Sequence, residues 1–391
     1  MRQAMRQAMR QAMGRGTRRV VRIGSLAVVL AVVLALLGAC GDASEAPAVD
    51  DAIGDADVAD GAPTQPVEPA AEVVVGEGAC CLSMSGDGVV WAEGGDLWMF
   101  TPEGEGAVRL LTHAHTAKDP VLEGDLLIWA DDRGGDFDLW AMRLSEGEAW
   151  LLVGGPGDQD QPTLDGGRVA WIGRDDPPHG PHEAEVWVMD VDAPESARRL
   201  TWDAMEQTQP HLRGDRVVWA DFTPSALGRY QDVADTAVNN ADILGWDLEA
   251  DEGFVVTEDP SKQLRPVIYG DDVVWLDWRG INPEPKYSEF KVYTRRLGHP
   301  EERMLAWSAW DRPELWQRPA LDDGLVVFIA EPSHAAAGFA TGVFAVTLDG
   351  ATEPWLVHPS PGALEAVALG GGHVAWLGHG RLSVAPRHAL R

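Results

Sequence analysis

Residues 72–391 are predicted to form an all-β fold: a seven-bladed β-propeller of four-stranded antiparallel blades, Velcro-closed by an N-terminal strand. Three observations predict it. One unit recurs seven times at intervals of 38 to 56 residues, and it keeps fixed proline and glycine slots. The last unit is one strand short, while an orphan strand precedes the first.

Aligned on a terminal aromatic, the units have the anchors Trp91, Trp129, Trp171, Trp219, Trp275, Phe328 and Trp376. Nine residues earlier stands proline in five of them: Pro120, Pro162, Pro210, Pro266 and Pro319. Proline is expected there as a strand's first residue, where no donor is needed. Five residues before the anchor stands glycine in six units, and the sixth unit has Asp323-Gly324 instead. Gly-Asp or Gly-Gly supplies the positive φ of a tight hairpin, so Val-Val-Trp begins a second strand. Segments such as Asp138–Met142 and Glu185–Met189 make the third strand, and Arg198–Thr201 and Glu353–Val357 the fourth. No segment keeps a 3.6-residue apolar period for three turns, which excludes a helical solenoid. The orphan Glu72–Val75 is expected to complete the last blade near Arg381–Ala385, removing the ring's open edge.

Upstream of the repeats, four arginines between Arg15 and Arg22 precede an apolar run, Leu26–Leu37, too short to span a bilayer. The run ends in Leu37-Gly38-Ala39-Cys40, which resembles a bacterial lipoprotein signal. That resemblance implies a signal peptide over 1–39, cleavage before Cys40 and acylation of Cys40, whose several chains would hold the protein on a membrane. Gly41 follows the cysteine rather than the aspartate that marks inner-membrane retention in enteric bacteria, so the resemblance implies the outer membrane. Residues 40–71 are acidic, proline-containing and free of aromatics, the composition of a disordered tether.

The chain carries 31 basic and 62 acidic side chains, a net charge of −31. Seven basic and no acidic residues precede Cys40, so cleavage takes the charge to −38. Such a surface excludes nucleic acid as a partner. Solubility accounts for it, and calcium or a cationic partner is the alternative. Seventeen tryptophans against four tyrosines fit a repeated structural slot.

The stretch Trp129-Ala130-Asp131-Asp132-Arg133-Gly134-Gly135-Asp136-Phe137-Asp138-Leu139-Trp140, with Arg199-Leu200-Thr201 and Gly214-Asp215-Arg216-Val217-Val218-Trp219, resembles TolB-type propeller repeats and those of surface-layer proteins. The resemblance implies the fold over about 320 residues and leaves function open.

From anchor to third strand the seven intervals are 4, 8, 13, 22, 14, 13 and 4 residues. These connections share a rim with the blade-to-blade linkers, so insertions collect on one face at blades three to six, the pattern of a binding side. The candidate partner-binding face is Arg229 and Tyr230 in blade four, Trp278 and Tyr287 in blade five, and Trp307, Trp310 and Trp316 in the linker entering blade six. The three linker tryptophans lie off the anchor register; exposure and burial between blades are both open for them.

No catalytic, cofactor or metal site is assigned. Asp131/Arg133 and Asp277/Arg279 suit strand-end salt bridges. His179 and His182, with Asp175, Asp176 and Glu183, could hold a transition metal, or the loop could simply be solvated. Serine-hydrolase elbows, zinc-protease helices, P-loops and dinucleotide fingerprints are all missing. With Cys40 acylated, the adjacent Cys80 and Cys81 form either a vicinal disulfide or two buried thiols. The reading is a monomeric, lipid-anchored envelope propeller acting as a protein- or glycan-binding or scaffold module. The alternatives are an envelope polysaccharide hydrolase or lyase working through the insert-bearing face, and a purely structural protein. Titratable groups with shifted pKa values clustered at the channel would favour the enzyme.

Overall fold

A computed structural model of the chain describes residues 66–390, apart from 77, 87, 105, 112–114, 175–183, 203–205, 223–240, 280–289, 309–316 and 332–340. Within them seven four-stranded antiparallel sheets follow one another as blades: 80–111, 117–153, 159–199, 207–255, 263–307, 320–360, and 364–386 with 71–74. The first strand of each blade lines the central channel. The first and second strands join through two-residue hairpins, as the pairs Asp165↔Arg168 and Gly370↔His373 show. Glycine in the hairpins holds φ values from 56° to 61° in blades one to five. At Gly371 the glycine is also required by space, because a Cβ there would collide with the Gly86 carbonyl oxygen of the first blade's hairpin.

The closure is as expected, with Ala71–Val74 pairing antiparallel to Arg381–Pro386. Glu72 lies opposite Ser383 and accepts its hydroxyl at 3.0 Å. Among the described residues, contact with the ring is already present at Val67, five residues ahead of the expected start at 72. Val67 is buried, and its N–H donates to the Val357 carbonyl of blade six at 2.7 Å. An apolar valine beside an open carbonyl gains more from docking than from staying solvated.

All seven anchors are 3% exposed or less. Most face an aromatic across the second and third strands: Trp91 stacks on Trp98, Trp171 on Trp187, Trp275 on Tyr293 and Phe328 on Phe344, at centroid distances of 5.9 to 6.3 Å. Four buried indoles donate to a carboxylate two residues along the same strand, in the pairs Trp91–Glu93, Trp129–Asp131, Trp219–Asp221 and Trp275–Asp277. In blade three that position is Gly173, and Trp171 donates instead to Gln159 at 2.9 Å. A Cβ on Gly173 would meet that same amide oxygen at 2.8 Å, so the glycine makes room for the substitute acceptor.

The proline slot differs from expectation. Pro120, Pro162, Pro210 and Pro266 lie inside the first strand, as in Gln159–Asp165, not at its first residue. Each follows a residue with φ between 51° and 59°, at a point where the pairing register shifts. The bulge removes the ladder bond that proline could not make, so a proline costs nothing in mid-strand. Cys81 takes the same bulge with φ 63°, although Leu82 stands in the proline slot.

Candidate functional site: the channel and the insert-bearing rim

A channel of about 940 Å³ runs down the centre, and in each of blades one to six the residue at one fixed slot lines it. Round the ring, ten residues before the anchor, these are Cys81, Asp119, Gln161, Gln209, Arg265 and Arg318. Some of them tie the blades together. Gln161 Oε1 accepts the Gln209 N–H at 2.7 Å, and Gln209 Oε1 accepts the Arg265 N–H at 2.8 Å. Two residues further along, Ser83, Thr163 and His211 accept N–H groups of the following blade's strand, from Leu122, Leu212 and Ile268. At the hairpin end, Ser85, Glu123 and Asp165 accept the turn-glycine N–H of the next blade. Inner strands cannot pair with one another as sheets, so these side chains satisfy their facing donors.

The remaining channel groups form a charged cluster. Burial raises the Asp119 carboxyl above its ordinary range, against the pull of Lys118 and Arg318. Burial and the neighbouring Arg265 lower Arg318 to about 10, and burial also lowers Arg265. His211 falls to about 3 through burial and the charges of Arg318 and Arg213. It is therefore neutral at physiological pH, and its Nδ1 is free to accept the Ile268 N–H at 3.2 Å. Cys80 and Cys81 are thiols in this structure. The hydrogen bond between them draws Cys80 below its ordinary range and pushes Cys81 well above it.

At the end of the ring away from the strand-one hairpins, the sequence-derived face is only partly within the described residues. Arg229, Tyr230, Tyr287, Trp310 and Trp316 lie outside them, as do His179 and His182. Trp278 is a core residue and not a surface contact. It is 8% exposed and packs on Phe290 at 6.2 Å, while its backbone N–H donates to the Lys262 carbonyl at 3.0 Å and so keeps it against the lead-in to the first strand. Trp307, the last residue of blade five's outer strand, is 46% exposed. Trp202, in the linker entering blade four, is 56% exposed and lies on the same rim. Sequence reasoning passed over Trp202, although the signal that singled out Trp307 applies to it: a tryptophan off the anchor register, on a blade-to-blade linker.

The two Asp-x-Arg pairs are structural ties. Asp131 and Asp277 are wholly buried, and each meets the arginine two residues on, with Arg133 stacked over Trp140 at 3.8 Å and Arg279 over Tyr293 at 4.3 Å. Among the described residues no group of three or more histidine, cysteine or carboxylate side chains is placed to hold a metal ion. No helix among them is long and apolar enough to cross a membrane.

No family model and no curated protein matches this chain. Solved structures do. An oligogalacturonate lyase from Vibrio parahaemolyticus is similar with a TM-score of 0.56 at 8% identity, over 82% of this chain and 93% of that one. An oligogalacturonate lyase in complex with manganese is similar with a TM-score of 0.54 at 11% identity, over 78% and 88%. TolB from Acinetobacter baumannii gives a TM-score of 0.47 at 14% identity, over 68% of this chain and 60% of that one. At these identities the likeness shows the propeller fold alone.

Proposed function

We propose that this protein is a lipid-anchored binding or scaffold propeller of the bacterial cell envelope, held to the outer membrane through Cys40. It would grip a protein or glycan partner with the rim that carries the long insertions. One observation carries the reading: Trp202 and Trp307, half exposed, share that rim, whereas the anchor tryptophans are buried. Exposed tryptophan offers large contact area at small entropic cost and dominates interface energetics.

The test has two arms. Cys40→Ser should abolish the lipid mass and release the protein from membranes; unchanged partitioning would sink the anchor. Trp202→Ala and Trp307→Ala should each weaken capture of the envelope partner by about 1–3 kcal/mol without lowering the melting temperature. Capture that survives the double substitution would sink the rim.

The hydrolase or lyase alternative has one observation in its favour, the channel's cluster of displaced pKa values. Burial is the main cause for Asp119, His211 and Arg318, and His211 is already engaged in an inter-blade bond. A binding role accounts for the same cluster.

A further inference from the structure

Arg265 and Arg318 occupy the same repeat slot on adjacent blades, and both face the channel. Neither guanidinium has a hydrogen bond or an ion pair among the described residues. That sets them apart from the other sheltered arginines. Arg133, Arg199, Arg279 and Arg387 each hold a carboxylate within ion-pair distance. In a chain with twice as many acidic as basic side chains, carboxylates to neutralise the pair are abundant. Instead the pair is left without a carboxylate partner among the described residues in a concave channel, where its field is concentrated. The two guanidiniums repel each other, and burial opposes the charge of both. Asp119, on blade two across the channel, feels both charges but comes within ion-pair distance of neither.

Two adjacent forked donors without acceptors complement an oxyanion, which can take parallel N–H···O bonds from each. At about 940 Å³ the channel is within the range of small-molecule sites and too narrow to need a macromolecule to fill it. We propose that the channel binds a small oxyanion-bearing molecule, its carboxylate or phosphate held between Arg265 and Arg318, with Asp119 and Cys81 on the facing wall for donors on the rest of the ligand. The site is separate from the tryptophan-bearing rim, so either can fail alone.

The experiment uses the full chain in detergent, titrated by calorimetry and thermal unfolding with inorganic phosphate and, separately, with succinate, in chloride buffer of matched ionic strength. At least one probe should bind saturably and raise the melting temperature. Phosphate alone would assign a phosphoryl ligand, and succinate alone a carboxylate ligand. Arg265→Gln and Arg318→Gln should each weaken that binding about tenfold or more, the loss of a charge-assisted fork. Arg213→Gln, whose guanidinium already pairs with Asp165 at the other mouth, should leave it within about twofold. Without ligand, Arg318→Gln should melt at or above the wild-type temperature, since it removes an unpaired charge. Should it fail to fold, Arg318→Lys, which keeps the charge but loses the fork, should show the same weakening. Neither probe binding, or binding that survives both substitutions, would overturn the proposal.

Discussion

The indole Nε1 of Trp129 donates to Asp131 Oδ2 at 3.1 Å, with both side chains fully buried. The same carboxylate takes the Arg133 guanidinium and the Arg133 N–H. One acid thus satisfies the anchor and clamps the turn that follows it. Burial opposes ionisation of Asp131, but these donors outweigh it and hold its carboxyl below the ordinary range. Asp131→Ala should cost about 2–3 kcal/mol in denaturant unfolding, since it strands a buried indole donor and a half-sheltered arginine. Asp131→Asn, which still offers the indole an acceptor, should cost clearly less. Because the folded pKa is depressed, the wild-type advantage over Asp131→Asn should be present above about pH 4 and fade as pH falls below it. Equal losses for the two variants would refute the indole's part.

Thr163 joins blades three and four. Its hydroxyl accepts the buried Leu212 N–H at 3.1 Å. Thr163→Val keeps the shape and strands that donor, so it should lower stability by about 1–3 kcal/mol. Thr163→Ser should recover most of the loss. A valine variant as stable as wild type would show that water can replace the hydroxyl.

Asp242 opens the third strand of blade four opposite Asp221, and no arginine stands where Arg133 and Arg279 serve the equivalent carboxylates. Burial, with the charges of Asp221, Glu258 and Asp259, raises its carboxyl to about 7 despite a hydrogen bond from Thr257. The folded state therefore keeps a proton that the unfolded chain releases near pH 4, so Asp242 subtracts stability as pH rises from about 4 to 7. Asp242→Asn should gain about 1–3 kcal/mol at pH 8 and little near pH 4, a discounted share of the shift at about 1.4 kcal/mol per unit. Thermal melts across that range would show it, and a gain independent of pH would refute the assignment.

The closing strand gives the last blade its fourth member through Ala71–Val74, and Val67 extends the contact to blade six. Removing residues through Val75 should lower the melting temperature markedly and expose the edge of Arg381–Pro386 to self-association. A truncated protein that melts like wild type and stays monomeric would refute the role of the closure.

Short-range chemistry made the ring legible in the sequence. The Gly-Gly and Gly-Asp pairs that stand five residues before an aromatic anchor make hairpins, and the anchor sets which face of the second strand is buried. The one-strand deficit at Arg391, matched by an orphan strand at residue 72, made the closure a matter of counting. Proline was located correctly but assigned to a strand's start. The bulge that accommodates it is a relation between two strands, and a left-handed Asp119 or Gln161 carries no mark of its own. What converges at the centre was decided only by the tertiary structure. Gln161 meets Gln209, and Arg265 and Arg318 come to line one channel, across separations of about fifty residues. Those distances exist only once seven twisted sheets close and bring their first strands face to face. The same closure buried Trp278 under Phe290 and left Trp202 and Trp307 outside. Burial of an off-register aromatic depends on the neighbouring blade's shape, which the residue's own sequence neighbourhood does not encode.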